Sequence, residues 1–377
     1  MSGKVGHQMK IATVDCFGYE LHYAHGDYVM SGARSAASVP GTLVRLRTTD
    51  DIVGWGEITP LGSRYLPVHA DGVRADLRTL APALIGQDPS SPLAIGRRLD
   101  AVLLGAGYAK SAIDIACWDL LGKRAGLPIS VLLGGVLNED FPLYEAVPLG
   151  SPESMVEFVT RRGEAGIKRF QLKVGNDPHE DAERVRQVVH SVPEETVLIA
   201  DANGGWNLLS AKTALRAMAG LPILIEQPCR DTKDCATAMR GTVLPLVLDE
   251  TVVTSKDAFE AKYRAGAVAV NLKISRVGGF TRAARMRDLL QDLGLLVSLE
   301  DTWGGDVITA AVSHLAATTQ PESLFNVSFF NDWTDGHVAG HNPRSAAGRG
   351  SAPTGPGLGI DVDPHGLELL FSVTEGA

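Results

Sequence analysis

Apolar and polar residues alternate through the first sixty positions. The runs Ile11-Ala-Thr-Val-Asp-Cys-Phe, Thr42-Leu-Val-Arg-Leu-Arg and Val53-Gly-Trp-Gly-Glu are rich in β-branched and aromatic residues, and an Asp50-Asp51 turn separates the last two. They predict an antiparallel meander. The pattern begins only at Met9-Lys10-Ile11, so residues 1–8 are read as an added or alternative start. The polar segment from Tyr23 to Pro40 is too long for a tight hairpin and is expected to be a functional loop. Helical periodicity follows over 72–85, 92–104 and 109–125, the last with Ile113, Ala116, Cys117 and Leu120 on one face. Residues 1–130 therefore read as an α+β domain.

From Pro142 the texture changes. Short apolar runs separated by helical stretches recur roughly every 25 residues, the signature of βα units. They are 143–147, 169–174, 197–201, 223–226, 246–249, 267–273, 295–300 and 324–329. Eight such units over residues 131–330 suit a (β/α)8-type barrel. A doubly wound sheet is the weaker alternative, because no glycine-rich dinucleotide turn follows the first run. Residues 331–377 are rich in Gly and Pro, and their run Gly357-Leu-Gly-Ile-Asp-Val-Asp reads as a short strand expected to pack back on the N-terminal domain.

Composition narrows the function. With 377 residues, 45% hydrophobic and 21% charged, the chain can bury large cores and is neither disordered nor a disulfide scaffold. The balance of 35 basic against 44 acidic side chains, net −9, disfavours nucleic acid as a partner. Cys16, Cys117, Cys229 and Cys235 form no CxxC pair, which suits a reducing cytoplasm. No apolar run reaches membrane-spanning length, so no membrane partner is expected. A homo-oligomer acting on a small molecule is the expectation.

Lys173, Asp201, Glu226, Asp249 and Lys273 stand at or next to the ends of their barrel runs. Every strand of such a barrel opens its C-terminal end onto one face, so these side chains converge. Three carboxylates in a low-dielectric mouth repel one another unless a cation joins them, and all-oxygen ligation selects Mg²⁺ over zinc. The plainer reading, in which each acid caps the following helix, suits any one of them but not three successive strands flanked by lysines.

The motifs Gln171-Leu-Lys-Val-Gly, Asp201-Ala-Asn203, Glu226-Gln-Pro228, Asp249-Glu250 and Asn271-Leu-Lys273-Ile-Ser-Arg-Val-Gly-Gly279 together resemble the enolase superfamily, in its muconate lactonizing enzyme branch. Gly54-Trp-Gly-Glu57, the run from Ala109 to Asp119 and Leu132-Leu-Gly-Gly135 extend the resemblance over nearly the whole chain. It implies a modified (β/α)7β TIM-type barrel with an N-terminal α+β capping domain. It also implies Mg²⁺ held by Asp201, Glu226 and Asp249, and removal of the proton next to a carboxylate with Lys173 and Lys273 flanking the substrate. Burial and a nearby dication are expected to lower a lysine's pKa, so that one lysine abstracts while the other donates. Many relatives carry Lys-x-Lys on the second strand where Gln171 stands here; an amide hydrogen-bonds a carboxylate but cannot shift its neighbour by charge. Asn203 and Glu250 are expected to orient the metal ligands.

Substrate recognition is expected from the cap loops around Tyr28–Arg34 and Gly62–His69 and from the last two strands. Tyr65, Trp303, Phe329 and Trp333 are candidates to face a compact cation, and Tyr65, His69 and Asp301 are candidate acids beside the lysines. Ser31-Gly-Ala-Arg34, Tyr65-Leu-Pro-Val-His69 and Asp301-Thr-Trp-Gly-Gly305 look most like enzymes acting on proline derivatives. The resemblance implies dehydration of cis-3-hydroxy-L-proline to Δ1-pyrroline-2-carboxylate. Racemisation or epimerisation of proline betaine or 4-hydroxyproline betaine is the alternative, since two lysines serve either reaction. A non-catalytic scaffold would show erosion of the metal set or the lysines, and none is seen beyond Gln171.

Overall fold

The computed structural model describes residues 9–32 and 34–375, and the reading of residues 1–8 lies outside them. β1 (Ile11–Tyr23) leads into a segment that is not a bare loop: β2 (Tyr28–Met30) and β3 (Arg34–Ala36) pair as a hairpin. β4 (Ser38–Thr48) then pairs antiparallel with β1, and β5 (Val53–Ile58) with β4. α1 (Ala70–Leu80) stops short of residue 85 because Pro82 has no N–H to donate, and the chain tightens into a 3₁₀ turn over Ala81–Leu84.

α2 (Pro92–Val102) precedes α3 (Gly107–Ala125), which is buried on nearly every side rather than on one face. Ile113, Ala116, Cys117 and Leu120 join the cap core, while Ile115 joins the barrel core. Two glycines of β5 allow this close packing. A Cβ on Gly56 would stand 1.8 Å from the Ala112 carbonyl oxygen, and one on Gly54 would stand 2.4 Å from that of Ala116.

After α4 (Ile129–Leu132) and the short β6 (Phe141–Pro142), βα units build the second domain. They are β7 (Glu145–Val147) and α5 (Pro152–Glu164), β8 (Arg169–Lys173) and α6 (Pro178–Ser191), β9 (Val197–Asp201) and α7 (Leu208–Ala217), and β10 (Ile223–Glu226) and α8 (Thr232–Ala238). The series continues with β11 (Leu246–Leu248) and α9 (Ser255–Glu260), β12 (Ala269–Lys273) with α10 (Ile274–Val277) and α11 (Phe280–Asp292), and β13 (Leu296–Glu300) and α12 (Asp306–Ala317). β14 (Leu324–Val327) completes one parallel sheet in sequence order. A parallel bridge from Leu143 to Val327 joins its two ends, with the Tyr144 N–H donating to the Val327 carbonyl at 3.0 Å. A 3₁₀ turn, not a helix, follows β14, so the barrel is (β/α)7β. Among the described residues no helix is long and apolar enough to cross a membrane.

The C-terminal segment adds β15 (Thr334–Asp335), β16 (Arg349–Gly350) and β17 (Glu368–Thr374). The strand expected at residues 357–363 does not form, because Gly357 and Gly359 adopt φ of +70° and +69°, outside any strand. β17 instead pairs antiparallel with β1.

Two cap acids tie the domains together at barrel helices. Glu57 accepts the N–H groups of Gly305 at 2.5 Å and Ile308 at 2.9 Å, at the start of α12, and the Tyr19 hydroxyl at 2.6 Å. Asp114 accepts the N–H and hydroxyl of Thr281, both at 2.7 Å, at the start of α11. Each acid fills donors that a helix N-terminus leaves open.

Candidate active site

The barrel strands are near-continuous apolar runs because both their faces are covered, and polarity appears where each leaves the sheet. Lys173 ends β8, Asp201 β9, Glu226 β10, Lys273 β12 and Glu300 β13, and Asp249 follows β11 by one residue. All six are buried at one mouth.

Each carboxylate has its own donors. Lys173 Nζ donates to Asp201 Oδ2 at 2.5 Å. Gln171 Nε2 donates to both oxygens of Glu226 at 3.0 Å, and Asn271 Nδ2 to one of them at 2.7 Å. Asp249 accepts from Lys273 Nζ at 2.9 Å and Arg276 Nη1 at 2.5 Å. Lys273 also lies 3.2 Å from Glu300, whose other oxygen accepts the Tyr144 hydroxyl.

Burial and charge set the protonation of these groups. Burial and the neighbouring Asp201 and Asp249 push Glu226 well above the usual carboxylate range. Burial acts to raise Asp249 too, but Arg276 and Lys273 outweigh it and hold the group low. Burial also acts to lower both lysines, as anticipated, yet the expected lowering does not result. Asp201 beside Lys173, and Asp249 and Glu300 beside Lys273, outweigh it and hold both ammonium groups above the ordinary lysine value.

Asn203 donates through its backbone N–H to Asp201 at 2.8 Å and through Nδ2 to Glu250 at 3.1 Å. Its Oδ1 and Glu250 Oε2 are buried acceptors without a hydrogen-bond partner. Among the described residues no three His, Cys, Asp or Glu side chains meet at metal-binding spacing, and the acids are instead hydrogen-bonded to lysine, arginine and amide groups. The donor set nonetheless fits a hard divalent cation: it is all oxygen, and beyond burial the charges of Asp201 and Asp249 help raise Glu226, a repulsion that such a cation would relieve.

The cap closes the mouth. Tyr65 donates to Asp249 Oδ2 at 3.2 Å and accepts from Lys273 Nζ at 3.2 Å. Tyr28, Tyr144, Trp303, Phe330 and Trp333 complete the wall, with ring centroids 5.0 Å apart between Trp303 and Tyr28 and 5.4 Å between Trp303 and Phe330. Trp303 Nε1 is a buried donor without a partner.

Residues 28–134 match the mandelate racemase/muconate lactonizing enzyme N-terminal domain, and residues 154–366 match the enolase C-terminal domain-like family. The chain belongs to the enolase superfamily. Members of this superfamily bind Mg²⁺. This enolase superfamily chain is 40% identical over 352 residues to the cis-3-hydroxy-L-proline dehydratase of Roseibium aggregatum, covering 93% of this chain and 96% of that one. It is 30% identical over 374 residues to the N-succinyl-L-Arg/Lys racemase of Bacillus cereus, covering 96% and 98%. A member of the enolase superfamily from Roseovarius nubinhibens, solved in complex with magnesium, superposes with a TM-score of 0.90 at 32% identity over 97% of this chain and 100% of that one.

Within this superfamily member the structure brings Lys173, Lys273, Asp201, Glu226, Asp249, Gln171, Asn203, Glu250, Tyr65, Asp301, Trp303 and Trp333 to one mouth. His69 is not among them. It is exposed and caps α1, its Nδ1 accepting the Gly72 N–H at 3.2 Å. Phe329 points into the barrel, where its ring packs 6.0 Å from Phe141, and Phe330 faces the mouth instead. Asp301 lines the cleft, but its oxygens are taken by Ser275 and the Thr302 N–H, so it fixes the turn after Lys273. Tyr28 stands in the cap loop from which substrate recognition is expected, whereas the sequence reading gives no role to Asn271, Arg276, Glu300 or Tyr144. Asn271 and Arg276 flank Lys273 within its own motif, and Glu300 ends a strand just as Glu226 does; those signals were available.

Proposed function

We propose that the protein is a Mg²⁺-dependent hydro-lyase converting cis-3-hydroxy-L-proline to Δ1-pyrroline-2-carboxylate and water. The observation that carries this reading is the placement of Lys173 and Lys273 on β8 and β12, four strands apart in an eight-stranded barrel and hence on opposite sides of its mouth. In the cis isomer the 3-hydroxyl shares a ring face with the carboxylate, so the α-hydrogen lies on the other face. Removing both requires a base on one side and an acid on the other. One lysine takes the α-proton, and the opposite, protonated lysine gives a proton to the departing hydroxyl, which leaves as water. The enamine so formed tautomerises to the imine, which draws the reaction forward.

Asp201, Glu226 and Asp249 would hold Mg²⁺, which when bound supplies the positive charge that stabilises a substrate carboxylate as its α-proton is lost. Carboxylates turned toward a cation hold their lysines less tightly, and burial is then left to lower the pKa of the abstracting amine. Asn203 and Glu250 orient this set. Tyr28, Trp303, Phe330 and Trp333, with the Glu300 carboxylate, face the secondary ammonium of the ring.

The 40% identity to the Roseibium aggregatum dehydratase supports the same chemistry. The Bacillus cereus racemase, together with the lysine pair, supports racemisation or epimerisation as a second reading of the reaction type, with proline betaine or 4-hydroxyproline betaine as the candidate substrates. A betaine has no N–H and cannot form the neutral imine. The test is incubation of the Mg²⁺-loaded protein with cis-3-hydroxy-L-proline: release of Δ1-pyrroline-2-carboxylate supports the hydro-lyase, and α-exchange of a betaine without elimination supports the alternative.

A further inference from the structure

Beside the mouth the fold brings two thiols together. Cys229 follows β10 by three residues and Cys235 lies on α8; both are buried, and Cys235 Sγ sits 3.2 Å from the Cys229 carbonyl oxygen. The neighbouring Cys235 side chain pulls the pKa of Cys229 down, and Cys229 together with burial pushes that of Cys235 up. Gln227 connects this pair to the catalytic face. Its Nε2 donates to the Cys229 carbonyl at 2.8 Å and reaches Cys235 Sγ at 3.7 Å, while its Oε1 accepts the Asp249 backbone N–H at 3.0 Å and the Thr251 hydroxyl at 3.2 Å. Gln227 has φ of +35°, a conformation that an L side chain holds only when its surroundings over-determine it. Gln227 and the exposed Arg230, the neighbour of Cys229 in the chain, line a cavity of about 790 Å³ under the cap loops.

We propose that Cys229 and Cys235 are a reversible dithiol/disulfide pair that acts on Asp249 through Gln227. With hydrogen peroxide as oxidant, the Cys229 thiolate attacks one oxygen, the O–O bond breaks and water leaves, giving a sulfenic acid. The Cys235 sulfur then displaces that hydroxyl as a second water and the S–S bond forms. Two thiols give up two protons and two electrons, and peroxide is reduced to two waters. Joining the sulfurs draws Cys229 toward α8 and takes the far anchor from the side chain that holds the Asp249 N–H.

The test uses the full chain with Mg²⁺ present, exposed to graded peroxide. Trypsin cuts after Arg230 and Lys233 and so places the two cysteines on separate peptides. The expected result is that these peptides stay joined until dithiothreitol is added, and that hydrogen exchange of the Asp249 amide in the oxidised protein is at least tenfold faster than in the reduced one. Cys235→Ser should show neither change. Separate peptides at every peroxide concentration that leaves the protein folded, joined peptides with unaltered Asp249 exchange, or faster exchange in oxidised Cys235→Ser would each overturn the proposal. Neither readout uses a substrate, so the hydroxyproline assignment and the thiol pair stand or fall separately.

Discussion

The hydroxyl of Tyr65, carried by the cap, lies 3.2 Å from the ammonium of Lys273, carried by the sixth barrel strand, and 3.2 Å from the carboxylate that Lys273 pairs with. The cap thus takes part in aiming a barrel lysine. A hydrogen bond to a charged group contributes about 1.5–3 kcal/mol, and each 1.4 kcal/mol is tenfold in rate. Tyr65→Phe should therefore lower kcat by tenfold or more while KM changes by less than about threefold. Steady-state kinetics checks this, and an unchanged kcat contradicts it.

Gln171 spans both oxygens of Glu226 with one amide. Gln171→Leu keeps the volume but leaves a buried carboxylate with Asn271 as its remaining side-chain donor. Stranding such a group costs about 1–3 kcal/mol. We expect kcat/KM to fall at least tenfold with circular dichroism unchanged; wild-type kcat/KM in this variant would show that Gln171 is dispensable.

Glu57 fills two N–H groups at the start of α12, the helix that follows the Trp303 loop. Glu57→Ala leaves both without an acceptor, at about 1–3 kcal/mol each. For a domain of this size that corresponds to a melting temperature lower by about 5–10 °C. Glu57→Gln, which keeps one acceptor, should lose about half as much. Calorimetry in which the two variants melt together would contradict the pairing.

His314 is neutral in the fold: the Ser130 N–H donates to its Nδ1 at 3.3 Å, and its Nε2 faces the Leu358 carbonyl at 3.1 Å. Burial pushes its pKa down to about 4, against about 6.5 in an unfolded chain. The unfolded state therefore binds the extra proton between those values. Stability should be full above about pH 6.5, fall by about 3 kcal/mol as pH drops toward 4, and lose nothing further from this group below that. Urea midpoints measured against pH should show that slope in the wild type and a flatter one in His314→Gln; parallel slopes would remove His314 from the account.

The barrel was legible because parallel strands buried on both faces read as apolar runs, and because a charge at the end of each run can point only into the mouth. Lys173, Asp201, Glu226, Asp249 and Lys273 were visible on that ground alone. Orientation at the edges of elements was not. Phe329 and Phe330 are adjacent, and only the 3₁₀ turn after β14 decides which faces the cleft. His69 follows Tyr65 by four residues, but α1 begins immediately after it, so its ring caps the helix. β17 escaped notice because its pairing partner, β1, lies some 350 residues away in sequence. Tyr144 carries no local signal at all; its role comes from β7 closing the barrel beside β14.

The central claim is elimination across two opposed lysines, and proton NMR in D2O tests it most directly. The Mg²⁺-loaded protein is offered proline, cis- and trans-3-hydroxyproline, 4-hydroxyproline and their betaines. The account predicts Δ1-pyrroline-2-carboxylate from cis-3-hydroxy-L-proline, none from the trans isomer, and no product from Lys173→Ala or Lys273→Ala. Deuterium entering a betaine at the α-carbon, with cis-3-hydroxy-L-proline left intact, would contradict it.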